Sequence, residues 1–257
     1  MRPQGGLMKK VGALFVTLAL FTSVSFAENA GERSIHVAGL DVPITGITLL
    51  SEQKLNGVKY DEYDKFSGLG IELMYHRLKI SDNGFSSFFN CELGYGNYKW
   101  KEIEAKVNGA KIATVSLSDK DGYDALVPRF SFGIGYAPLN TDMFILALHG
   151  TLGVNGVVGS RSQSGFENGT IVTKDNWAAC LWTTLGANVD FVIKLSEHVG
   201  IFSGINMYTN LIGLAFFGSD VKSTGTNISS TSSTSSTGMV YPGHFNIDLR
   251  LGVAFVY

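Results

Sequence analysis

Seven charged or titratable residues share an unusual setting. Glu72, Glu92, Arg129, His149, Asp190, Asp248 and Arg250 lie in stretches where large apolar residues occupy alternate positions, and each falls between those residues. Side chains alternate faces along a strand, so all seven project from the face opposite the apolar one. Carboxylates gathered with guanidiniums and an imidazole can neutralise one another or pass protons. Buried without partners they would be costly, so they must lie within hydrogen-bond reach of each other. The pattern predicts a polar network enclosed by a sheet, acting as a structural plug or, more sharply, as the gate of a pore.

No catalytic constellation accompanies it. His36, His76, His149, His198 and His244 have no metal-ligand spacing, and Gly133-Ile134-Gly135 reads as strand glycines rather than a phosphate loop. The expectation is a protein that is not an enzyme and holds no metal and no cofactor. Cys91 and Cys180 form neither a disulfide framework nor a metal motif; the phase puts Cys91 outward and Cys180 inward on strands that are not neighbours, so no bridge is expected. A formal charge of −2 supplies no basic field for nucleic acid.

The elements that must position these residues are strands. Of the 257 residues only 16% are charged, with 31 Gly and 5 Pro, a composition suited to a sheet facing lipid outside and crowded side chains inside. Alternation predicts strands over roughly 34–49, 67–79, 85–100, 125–137, 144–158, 177–193, 199–215 and 245–257. The first is broken around Pro43. The links alternate long and short, and the last long one, 218–238, is a Ser/Thr-rich stretch read as an unfolded loop. An even strand number with alternating loop lengths is the arrangement of outer-membrane barrels, whose periplasmic turns are short and extracellular loops long. The expected fold is all-β: an eight-stranded antiparallel up-and-down transmembrane barrel with four long extracellular loops and both chain ends in the periplasm. Tyr75, Tyr136, Phe144 and Phe191 fall near the short turns and Trp100, Trp177 and Phe245 near the long loops, as aromatic girdles would.

Ahead of the strands, Lys9-Lys10 precede an apolar run over 11–26, and Ser25-Phe26-Ala27 offers a small-x-small cleavage site. Residues 1–27 read as a secretory signal peptide, with Met8 a more usual start than Met1. The final stretch reads FNIDLRLGVAFV and then Tyr257, with Leu249, Leu251, Val253, Phe255 and Tyr257 at alternate positions. This ending resembles the C-terminal assembly signal of bacterial outer-membrane barrels. By leader, strand count, loop rhythm and ending, the chain resembles small eight-stranded outer-membrane proteins of the OmpW, OmpX and OmpA-barrel type, and is similar to barrels predicted in spirochaetes such as Treponema. A soluble lipocalin-like barrel would carry its charges outside, against the phase seen here.

The resemblance implies an outer-membrane location, contact with lipid, and recognition of the last strand by the barrel-assembly machinery. It also implies a narrow OmpW-like channel for small molecules, hydrophobic ones included. The alternative is a non-conducting scaffold whose surface loops serve adhesion or interaction with a host ligand. An eight-stranded barrel has an interior only wide enough for side chains to fill, which argues against a water-filled porin.

Overall fold

The computed structural model describes residues 32–55, 57–116, 122–167, 170–224 and 229–257; the signal-peptide stretch 1–27 lies outside them. Ten strands occur there: β1 (Glu32–Leu55), β2 (Val58–Ser81), β3 (Phe85–Val107), β4 (Ala110–Ser116), β5 (Gly122–Asn140), β6 (Phe144–Glu167), β7 (Thr170–Lys194), β8 (Val199–Thr224), β9 (Ser229–Tyr241) and β10 (Phe245–Val256). All pairings are antiparallel. A closed ring passes through β1, β2, β3, β5, β6, β7, β8 and β10, and returns to β1 through a ladder from Ile35↔Val256 to Ile44↔Ile247.

Eight of the ten described strands form the ring; the two further ones, β4 and β9, lie in the long links. β4 folds back on β3 through Asn108-Gly109, both at positive φ (48° and 83°), the backbone that a two-residue hairpin turn requires. β9 runs through the Ser/Thr stretch and pairs with β8 from Thr224↔Ser229 to Gly213↔Val240. Its residues 231–237 are all exposed. A strand standing in water on both faces has no apolar alternation to reveal it, and its backbone hydrogen bonds come from the neighbour, not from burial.

β1 is continuous, which corrects the break expected around Pro43. Its pairing with β2 passes from Asp41↔Glu72 to Ile44↔Leu69 without a shift of register. Pro43 has no N–H to give, so the ladder skips there while the phase is kept. The short connections close as anticipated: Gly84 N donates to Ser81 O (2.9 Å), Thr141 N to Phe144 O (2.9 Å) and Leu195 N to Val199 O (2.8 Å).

Several strands reach 24–26 residues, whereas a tilted strand crosses a bilayer in ~9–11. At ~3.3 Å per residue such strands run ~80 Å, so the wall continues well past any membrane. Its lower part, toward the short turns, bears an apolar outer face: Leu69, Ile71 and Leu73 on β2, Phe132 and Ile134 on β5, Leu249, Leu251 and Val253 on β10. Its upper part is laced with ion pairs: Lys65 to Glu102 (2.7 Å), Lys59 to Glu52 (2.8 Å), and Glu104 to Lys106 (3.2 Å) and Lys111 (3.3 Å). Hydrogen bonds from Lys106 and Lys111 hold the Glu104 carboxyl below its ordinary value. That support is present above the ordinary carboxylate range and is lost as pH falls below it through the lowered value. We expect acidification below that range to loosen the β3–β4 hairpin first, seen as faster amide exchange there than in the lower wall.

The interior is layered. Near the short turns Ile35, Val37, Leu78, Phe88, Val192 and Phe202 form an apolar floor. Near the long hairpins Ile47, Phe66, Val127, Val157, Trp182 and Val240 form a second apolar cluster. The central buried charges fall between the two, as Asp41 falls between Val37 and Ile47 and Glu72 between Phe66 and Leu78. The floor was not foreseen: these apolar side chains belong to the inward phase, which had been read as polar or small.

Candidate functional site

Arg129 on β5 is the hub of the middle layer. Nη2 lies 2.6 Å from Asp41 Oδ2 and 3.0 Å from Glu92 Oε2, Nε 2.8 Å from Glu72 Oε2, and Nη1 2.9 Å from Asp248 Oδ2. Nη1 also donates to the Tyr208 hydroxyl (2.9 Å). Arg250 on β10 adds a second cation: Nη2 lies 3.0 Å from Glu92 Oε1, and Nη1 donates to Asn188 Oδ1 (3.0 Å). All of these side chains are buried. The strands impose the meeting, since Glu92 faces Arg129 across β3–β5 and Asp41 faces both Arg250 and Glu72 on its two neighbours.

Five of the seven residues expected inside therefore meet in one network: Glu72, Glu92, Arg129, Asp248 and Arg250. His149 and Asp190 are buried too, but they pair with each other (3.5 Å) and with His76 (Asp190 Oδ2 to His76 Nε2, 3.2 Å), next to the apolar floor. Sequence reasoning missed Asp41, which shares the odd-numbered inward phase of Ile35, Val37 and Ile47 on a strand read as broken around Pro43. It also passed over the neutral partners Asn90, which donates to Glu92 (2.5 Å), and Asn206, which donates to Asp248 (3.0 Å). Both sit on the inward phase and carry no charge to draw notice.

Four carboxylates and two guanidiniums, all buried, gather in this layer. Above it lies a cavity of about 30 Å³, lined by Ile47, Phe66, Tyr98, Val157, Cys180 and Phe217 among others, with no polar surface. Beside it the β5–β6 ladder skips at Pro128 without a shift of register. The β5–β6 ladder runs to Leu126↔Val158 and resumes at Arg129↔Asn155, so Val127, Pro128, Gly156 and Val157 are unpaired across it. Pro128 lacks the N–H, and a Cβ on Gly156 would stand 3.1 Å from the Pro128 ring. Cys180 is buried inside, Cys91 lies outward, and both are free thiols.

Among solved structures the chain is similar to a major outer membrane protein from Thermus thermophilus (13% identity, TM-score 0.44, covering 86% of this chain and 99% of that one). It is also similar to the outer membrane protein OprG from Pseudomonas aeruginosa (13%, 0.39, 90% and 98%) and to the outer membrane protease OmpT from Escherichia coli (10%, 0.36, 91% and 99%). These likenesses are of barrel architecture alone and assign no activity. No family model and no curated protein sequence matches the chain. Ring closure, a charged interior and an apolar outer belt make the chain a small outer-membrane-type β-barrel.

Proposed function

We propose that this barrel is a narrow outer-membrane passage for small apolar molecules and performs no covalent chemistry on them. The observation that carries the reading is the all-apolar cavity directly above a charged plug. Ions and water meet Arg129 and its carboxylates on the axis, while an apolar solute meets a small apolar chamber that must widen to admit it. Val157 both lines the chamber and borders the ladder skip at Pro128, which gives no N–H to the ladder; the exit toward lipid is placed there. A solute larger than water swings the half-buried Tyr123 and Phe217 aside. The long hairpins stand on the cell surface and the short turns in the periplasm. The apolar positions of β10, Leu249, Leu251, Val253 and Phe255, with Tyr257, are the signal read by the assembly machinery; Tyr257→Asp should abolish outer-membrane insertion and leave export across the inner membrane intact.

The test is binding of N-phenyl-1-naphthylamine to the barrel in nanodiscs. Val157→Trp fills the chamber and should weaken binding at least tenfold, about 1.4 kcal/mol, without changing heat-modifiable migration. Equal binding by this variant would refute the chamber. A second reading, a scaffold displaying its hairpins to a host ligand, draws on the exposed β8–β9 hairpin; it predicts adhesion that depends on that hairpin and no solute binding.

A further inference from the structure

The outer face of the lower wall is mostly apolar, but β1 and β2 interrupt it near the short turns. Strand pairing sets one outward row as Phe255, His36, Arg77, Phe89 and Phe132. One step nearer the turns, Lys79 lies between Ser34 and Ser87. Over 34–44, 69–81 and 85–95 no Asp or Glu shares this outward phase, so the strands carry positive charge on this part of the outer face. Arg77 is buried and Lys79 half-buried although both face outward, so neighbouring side chains hold them against the wall. His36 is fixed beside them: Nδ1 is 2.9 Å from the Tyr75 hydroxyl and Nε2 is 3.2 Å from Ser34 Oγ. Its ring stands edge-on to Tyr257 at 5.5 Å. Tyrosines gather at headgroup level, and an arginine facing lipid is costly at the bilayer midplane but tolerated near its surface. This row therefore marks the headgroup boundary at the short-turn end. Immediately above it, Ala38, Leu40, Ile71 and Leu73 are exposed on the same two strands.

We propose that Arg77 and Lys79 hold the phosphate of one anionic glycerophospholipid whose acyl chains lie along Ala38, Leu40 and Leu73. The two cations are two residues apart on one face of β2, ~7 Å along the strand, so one phosphate can meet both. The guanidinium forks to two phosphate oxygens, and the ammonium adds a point charge. Ser87, beside Lys79 on β3, offers a hydroxyl to a further oxygen. His36 acts by position, holding the Tyr75 ring at the edge of the site. A zwitterionic headgroup brings its own ammonium into the same positive field and is disfavoured, whereas an anionic one is attracted. A bare phosphate meets the cations but gains nothing from the apolar track. The site rests on the lower wall facing lipid, which substitution of Leu251 tests separately.

The test is native mass spectrometry of the folded barrel after addition of phosphatidylglycerol or phosphatidylcholine in detergent. One phosphatidylglycerol should be retained, about tenfold more than phosphatidylcholine, the effect of two basic groups on an anionic headgroup. Arg77→Gln combined with Lys79→Gln should remove that preference. Lys99→Gln, which deletes an exposed cation toward the other end of β3, should leave it intact. Equal retention of the two lipids by the unaltered barrel, or a preference that survives the double substitution, overturns the site. Displacement of the lipid by inorganic phosphate would show a bare anion site and overturns the lipid assignment. If the double variant fails to fold, Lys79→Gln alone decides: an unchanged preference refutes the proposal.

Discussion

Arg129→Met should cost more stability than any other single interior substitution. It leaves Asp41, Glu72, Glu92 and Asp248, previously 2.6–3.0 Å from the guanidinium, with Arg250 as their one strong cation. Breaking a buried pair by removing one partner costs about 3–5 kcal/mol, and here four contacts go at once. The urea midpoint of refolding into lipid should fall sharply, or the heat-modifiable band should vanish. Arg129→Lys keeps the charge but cannot fork to several carboxylates, so it should fall between. Adding Glu72→Gln and Asp248→Asn to Arg129→Met should restore part of the loss. A full-stability Arg129→Met barrel would show that the charges are solvated, hence that the lumen is wet.

The second large effect concerns the outer face. Leu251 is 63% exposed in the lower wall and Ile112 is 62% exposed on β4, so a soluble protein would treat the two alike. If lipid covers the lower wall, Leu251→Arg should destabilise by about 2–4 kcal/mol, whereas Ile112→Arg, among the lysines and glutamates of the hairpin wall, should change little. Equal tolerance of both substitutions would remove the bilayer from the lower wall.

How legible all this was in the sequence depended on what each face meets. Where one face meets lipid and the other the lumen, as along Leu69 to His76, alternation set the phase, and Glu72 lies inside as expected. Where both faces meet water, as in β9, no pattern existed and a strand was read as a loop. The Asn108-Gly109 turn was a readable hairpin signal that the charged surroundings obscured. On β1 the inward side is apolar at both ends and acidic in the middle, so the alternation lost its phase near Pro43 and Asp41 was not placed. The chamber was beyond reach, because its lining gathers single residues from many strands that only the closed ring brings together.

An apolar chamber above a closed charged plug makes a direct prediction for methyl NMR of the barrel in nanodiscs titrated with naphthalene. The chamber methyls of Ile47 and Val157 should shift and saturate together, while those of Val37 and Val192 in the floor stay fixed. Shifts spread equally through floor and chamber, or confined to the outer Leu and Val residues that meet lipid, would contradict it.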